Sequence, residues 1–126
     1  MTILLALACL ALDGDTLRCR IEGQLVSVRL LGIDAPELPG HCRKGRACVA
    51  GDPYRATRIL QAAVRSQSVA VTPAGRDRWG LLLATAQTGR AGDLSCHQLR
   101  QRAAEYVRKW DTGRRIARAC PRETGR

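Results

Sequence analysis

Apolar and polar side chains alternate along much of the first third of this chain. Val26, Val28 and Leu30 alternate with Ser27, Arg29 and Leu31, the period of two expected of a half-buried strand. That strand is expected over residues 25–33. It ends before Pro36, which pushes Ala35 away from helix and cannot donate to a ladder. Leu17, Cys19 and Ile21 alternate with Arg18, Arg20 and Glu22 in the same way. Residues 7–12 and 16–21 therefore read as a hairpin about Gly14, since Asp13-Gly14 between two apolar runs is a strong hairpin signal. Glu22-Gly23-Gln24 is a second tight turn.

The period changes after residue 51. Asp52 followed by Pro53 starts a helix, as N-cap and first helical position. Ala56, Ile59, Leu60, Ala63 and Val64 then form one apolar stripe. Arg55, Arg58 and Arg65 project elsewhere. Ser68–Thr72 reads as a short strand turned by Pro73-Ala74-Gly75, and Leu81–Ala86 as a fifth strand. Residues 94–102 and 112–119 read as short helices, with Leu94, Leu99 and Ala103 in the core. Residues 121–126 are expected to be a disordered tail. The pattern alone limits the fold to a small α+β or β-barrel domain.

The first residues, Thr2 to Leu12, are apolar almost throughout. They fit either a signal peptide's apolar core or a first strand. No basic group precedes them and they run directly into Asp13-Gly14-Asp15, so a strand is preferred, with residues 1–6 as a remnant of a signal. The run is too short to cross a bilayer.

At 126 residues one domain is expected. There is no Phe, and Trp and Tyr number two each, so the core must be aliphatic. The net charge of +10 points to a polyanionic partner such as DNA or RNA. The charge is unevenly spread. Five acidic and three basic groups fall in residues 1–40, against eighteen basic and six acidic in the remainder. An acidic pocket on a basic body suits a cation held beneath an anionic substrate. Membrane binding is not expected, and a monomer is.

Six cysteines in so short a chain fit a disulfide framework, and with it a secreted or periplasmic location. Cys9 and Cys19 are symmetric about Gly14, Cys42 and Cys48 bound a short loop, and Cys96 could reach Cys120. Zinc ligation and free thiols remain the rival readings, although no Cys-x-x-Cys occurs.

Asp13-Gly14-Asp15-Thr16, followed by Arg29-Leu30-Leu31-Gly32-Ile33-Asp34-Ala35-Pro36-Glu37 and then Asp77-Arg78-Trp79-Gly80, resembles the three motifs of the staphylococcal nuclease (thermonuclease) family, in order, over about Leu12 to Tyr106. The resemblance implies an α+β fold: a five-stranded OB-type β-barrel with about three helices. It also implies a calcium-dependent, sugar-nonspecific nuclease acting on DNA and RNA. Asp15 and Asp34 would be Ca2+ ligands with the Ala35 carbonyl, a hard oxygen set completed by water and phosphate. Glu37 matches the residue assigned as general base, and Arg29 an arginine that contacts the phosphate. The loop over residues 38–51 would lie near the site. Arg29 and Asp34 lie on opposite strand parities, so a turn near Gly32 must bring them together. Arg78 and Trp79 are the expected substrate contacts; Trp79 could equally be core.

Two positions depart from the family. Leu81 stands where the resemblance places a second phosphate-binding arginine, which implies low activity. Arg102 stands where a glycine is common, which puts the backbone there in question. A catalytically degenerate domain that binds nucleic acid or protein without cleaving is the alternative, and a disulfide-rich secreted structural domain is a third.

Overall fold

The computed structural model describes residues 2–125. In chain order the strands are β1 (Leu4–Ala11), β2 (Thr16–Ile21), β3 (Gln24–Leu30), β4 (Ile33–Asp34), β5 (Val69–Arg76), β6 (Leu82–Thr88), β7 (Gly92–Asp93) and β8 (Glu105–Tyr106). The helices are α1 (Pro53–Val64), α2 (Leu94–Arg100) and α3 (Arg115–Ala119). Five strands close a barrel in the order β3-β2-β1-β5-β6, and β6 returns to β3. That closing pair is parallel, with Val28, Arg29 and Leu30 opposite Leu82, Leu83 and Ala84, while the other pairs are antiparallel. This is the five-stranded OB-type barrel with three helices.

The alternation read in β2 and β3 sorts side chains as expected. Leu17, Cys19, Ile21, Val28 and Leu30 are buried in the core with Val69, Val71, Ala84 and Leu60 of α1. Strand β1 serves two neighbours. Leu4, Leu5 and Ala6 pair with Val71, Ala70 and Val69, and Ala8–Ala11 pair with β2. The β1–β2 register shifts between Ala6 and Ala8, and such a bulge lets one strand bend between two pairings. The apolar residues of β1 are not all inside: Leu5, Leu7 and Leu10 are exposed.

Asp52 caps α1 by accepting hydrogen bonds from the backbone N–H groups of Tyr54 (2.9 Å) and Arg55 (3.3 Å), with Pro53 opening the helix. Ala56, Leu60, Ala63 and Val64 form its buried face. Several expected boundaries move. Pro73-Ala74-Gly75, expected to be a turn, lies inside β5, where the register to β6 shifts between Pro73 and Gly75. A proline has no N–H for the ladder, and the irregularity absorbs it. The chain reverses instead at Asp77–Gly80. The third strand ends at Leu30, because Gly32 adopts φ 77° and redirects the chain into β4. The C-terminal segment after Ala119 forms turns, with the Thr124 hydroxyl donating to the Cys120 carbonyl; Arg126 lies outside the described residues.

All six cysteines are paired, as Cys9–Cys19, Cys42–Cys48 and Cys96–Cys120, which rules out thiolate ligation of zinc. Cys9 and Cys19 are direct cross-strand partners. Cys96 and Cys120 are buried and tie α3 to α2. No helix among the described residues is long and apolar enough to cross a membrane.

Gly14 is needed for space, not for an unusual φ. A Cβ there would sit 2.7 Å from both the Ala35 and Ala56 Cβ atoms. Gly14→Ala is expected to destabilise the protein by about 1–3 kcal/mol through overpacking, read as a lowered denaturation midpoint. Arg102, by contrast, sits at φ 55°, a conformation that favours glycine. Arg102→Gly is expected to stabilise by roughly 0.5–1 kcal/mol in the same measurement, and a loss of stability would show that its side-chain contacts outweigh the strain.

Candidate functional site

The site forms where three segments meet at one end of the barrel. Thr16 pairs with Arg29 across β2 and β3. The Asp15 carbonyl accepts the Leu30 N–H at 2.9 Å, which places Asp15 beside the start of the loop. One Asp15 carboxylate oxygen accepts the Ala35 N–H at 2.8 Å, and the other accepts the Thr16 hydroxyl at 3.1 Å. Two-residue β4 then holds Asp34, pairing it with Glu105 of β8. The turn expected near Gly32 brings Arg29 and Asp34 together.

The result is a run of alternating charges. The Arg29 Nη2 atom lies 3.2 Å from Asp15 and 3.7 Å from Asp34, and donates to the Ile33 carbonyl at 3.2 Å. Arg46 continues the run, donating at 2.8 Å to Asp34 Oδ2 and at 2.8 Å to Glu37 Oε1. Three carboxylates thus face two guanidiniums. The Asp15 and Asp34 carboxylates are almost wholly buried, while Arg29, Arg46 and Glu37 retain partial exposure.

Burial decides the electrostatics. Desolvation pushes the Asp15 carboxyl up to about 8, against the opposing pull of Arg29 and with help from neighbouring Asp13. Burial also works against the Arg46 charge, but Asp34 and then Glu37 outweigh it and raise the pKa. Two buried atoms at the site have no hydrogen-bond partner: Asp34 Oδ1, an acceptor, and Arg29 Nε, a donor. An orphaned carboxylate oxygen suits a cation, and an orphaned guanidinium N–H suits an anion.

Asp15 and Asp34 fit a hard cation by the chemistry of their oxygens, but they are only two. Among the described residues no three His, Cys, Asp or Glu side chains are grouped as a metal site. The backbone of buried Ala35 is tied to Asp15 through its N–H. A calcium ion there would depend on water and substrate oxygens for the rest of its shell.

A groove of about 680 Å³ opens beside this cluster, lined by Arg29, Arg46, Arg78, Trp79, Lys109 and Trp110 among others. Trp79 is 60% exposed, not core. The guanidiniums of Arg43 (4.3 Å to the ring centroid) and Arg78 (4.5 Å) lie over its ring. Trp110 has Arg29 at 5.3 Å and Arg46 at 5.9 Å. Leu81 is half-buried at the edge of this turn, its N–H donating to Asp77 Oδ1 at 2.9 Å. Its neighbour in alternation, Leu83, lines the groove.

The structure therefore brings Asp15, Arg29, Asp34, Ala35 and Glu37 together and puts Arg78 and Trp79 on the adjoining groove. Sequence reasoning missed Arg43, Arg46, Lys109 and Trp110. The one available signal was that Arg43 and Arg46 fall between Cys42 and Cys48. Trp110 arrives because β8 pairs with β4, and the Val107 N–H donates to the Gly32 carbonyl at 2.8 Å. No protein-family model matches this chain, and no curated protein matches it either.

A raised carboxyl pKa has a testable sign. Between its ordinary value of 3.8 and about 8, Asp15 holds a proton when folded that it lacks when unfolded. Stability contributed by Asp15 is thus complete at low pH and is lost as pH rises through that window. Asp15→Asn is expected to flatten the fall in melting temperature across it and to raise the melting temperature near pH 8. An unchanged pH profile in the variant would show that Arg29 already compensates the charge.

Proposed function

We propose that this chain is a nuclease of the staphylococcal type, hydrolysing phosphodiester bonds of DNA or RNA with calcium, in an oxidising compartment outside the cytoplasm. The carrying observation is the pair of orphaned buried atoms, Asp34 Oδ1 and Arg29 Nε, in one cluster at a basic groove. One asks for a cation and the other for an anion, as a cation-bound phosphate would supply. The three disulfides and the +10 charge support the compartment and the polyanionic substrate.

In this reading Asp15, Asp34 and the Ala35 carbonyl hold calcium. When bound, calcium would neutralise charge building on the phosphoryl oxygens. Arg29 presents a planar fork to two of those oxygens and gains strength as their charge grows. Glu37 accepts a proton from the attacking water. The water oxygen forms the new bond to phosphorus, the bond to the leaving sugar oxygen breaks, and solvent returns a proton to that oxygen. Arg43, Arg78 and Trp79 offer a cationic, aromatic wall to the flanking strand, whose bases can stack on the exposed ring.

A second reading is favoured by Leu81 and by the bonds from Arg46 to Glu37 and Asp34. Held so, the base and one cation ligand are occupied, as in a domain that binds nucleic acid without cutting it. Cleavage of single-stranded DNA with calcium, set against the same assay with a chelator, separates the two. Cutting only with calcium is expected. Glu37→Gln should then lose about 10²–10⁴-fold in rate while binding DNA as before. Binding without cutting under every cation tried would establish the second reading.

A further inference from the structure

Resting on the nuclease reading, we infer that Arg46 is the second phosphate-contacting guanidinium of this site, supplied by the disulfide-closed loop in place of the arginine absent at position 81. Three observations converge. Arg46 and Arg29 approach Asp34 from its two oxygens, Arg46 at Oδ2 (2.8 Å) and Arg29 at Oδ1 (3.7 Å). A phosphate drawn to a cation on Asp34 would meet both guanidiniums. Both also line the same groove and lie near the same ring, that of Trp110. And Arg46 is on a segment whose ends are joined by Cys42–Cys48, so its backbone has few conformations to lose when the side chain engages a ligand.

The contacts of Arg46 in the free chain set how it would act. Its bonds to Asp34 and Glu37 neutralise carboxylates that would otherwise repel each other and the phosphate. A cation held at Asp34 would supply that neutralisation, leaving the Arg46 guanidinium free for the phosphoryl oxygens and Glu37 free for the water. Arg46 is about one-third exposed in its side chain, so a short rotation is open to it. Lysine could not substitute, since one ammonium lacks the fork that spans two oxygens.

The test uses the full chain, with thymidine 5′-monophosphate plus calcium as probe and tryptophan fluorescence as readout. Arg46→Ala, Arg46→Lys and Leu81→Arg are compared with wild type. Arg58→Ala, on the exposed face of α1, controls for the loss of one unit of charge. Circular dichroism checks folding. Arg46→Ala is expected to weaken the nucleotide at least tenfold and to slow DNA cleavage by about 10²-fold or more. Arg46→Lys should recover less than half of that loss on a logarithmic scale, and Arg58→Ala should change the affinity less than threefold. Leu81→Arg should gain less than tenfold, because the position it would fill is already served. Three outcomes overturn the inference: unchanged nucleotide affinity in Arg46→Ala, faster cleavage in Arg46→Ala, or a gain of 10²-fold or more in Leu81→Arg. Faster cleavage would make Arg46 a mere competitor of the cation. If no variant, wild type included, cuts DNA, the nuclease reading fails, and the nucleotide affinities still decide whether Arg46 is a phosphate ligand.

Discussion

Two buried carboxyls that share one guanidinium constrain everything around them. Unpaired, Asp15 and Asp34 would each carry a desolvation cost of several kcal/mol. Arg29 is placed between them by the β2–β3 register and by the Gly32 turn, and Arg46 reaches Asp34 from the far side. With Glu37 the cluster holds three carboxyls and two guanidiniums, and the raised pKa of Asp15 keeps that carboxyl protonated at neutral pH. Burial is the main cause of that shift, with Asp13 adding to it and Arg29 opposing it. A fold selected only for stability would replace such a cluster with packed apolar residues at little loss. Its presence, with partners delivered from three separate segments, is an argument for a ligand that completes it.

The barrel holds that cluster with modest means. Its core is aliphatic, drawn mainly from Val, Leu, Ile and Ala. Leu31, Ile116, Cys96 and Cys120 make a second cluster under the C-terminal segment, closed by a disulfide. Asp111 ties this segment down, accepting the Ile116 and Ala117 N–H groups and the Tyr106 hydroxyl. The same segment carries Trp110 and Lys109 to the groove. A stapled tail is thus a condition of the aromatic wall, not an ornament on the barrel.

What the chain reveals unaided follows from which interactions are local. The alternation in β2 and β3, the Asp52 cap, Pro53 and the α1 stripe are local, and all are as read. The place of Asp15, Arg29, Asp34 and Glu37 was legible because short motifs set it. The role of Gly14 was not: Asp-Gly suggested a turn geometry, but the constraint is contact with Ala35 and Ala56 from elsewhere in the chain. Pro73-Ala74-Gly75 suggested a turn and is a bulge, because pairing with β6 overrides the local preference. Arg46 lay in a segment without periodicity, and its direction is set by a disulfide and by two distant carboxylates. Arg102 was flagged only through resemblance, and its positive φ shows that the flag had a physical cause.

The uneven charge can now be divided between two ranges of action. The +10 total acts at long range, attracting a polyanion at a rate that salt would lower. Within the cluster three carboxyls face two guanidiniums, and screening is weak because Asp15 and Asp34 are buried. A polyanion alone would be drawn to the groove yet meet the Asp34 and Glu37 carboxyls at its inner end. A cation alone would find two carboxylates and a shell mostly of water, and would bind weakly. In the proposed reading the two would cooperate: a cation would offset the carboxylates, and phosphate oxygens would complete its shell. Each should raise the affinity of the other by the same factor, as linkage requires. That reciprocity would need no moving domain, only carboxyls and guanidiniums held together at the inner end of one groove.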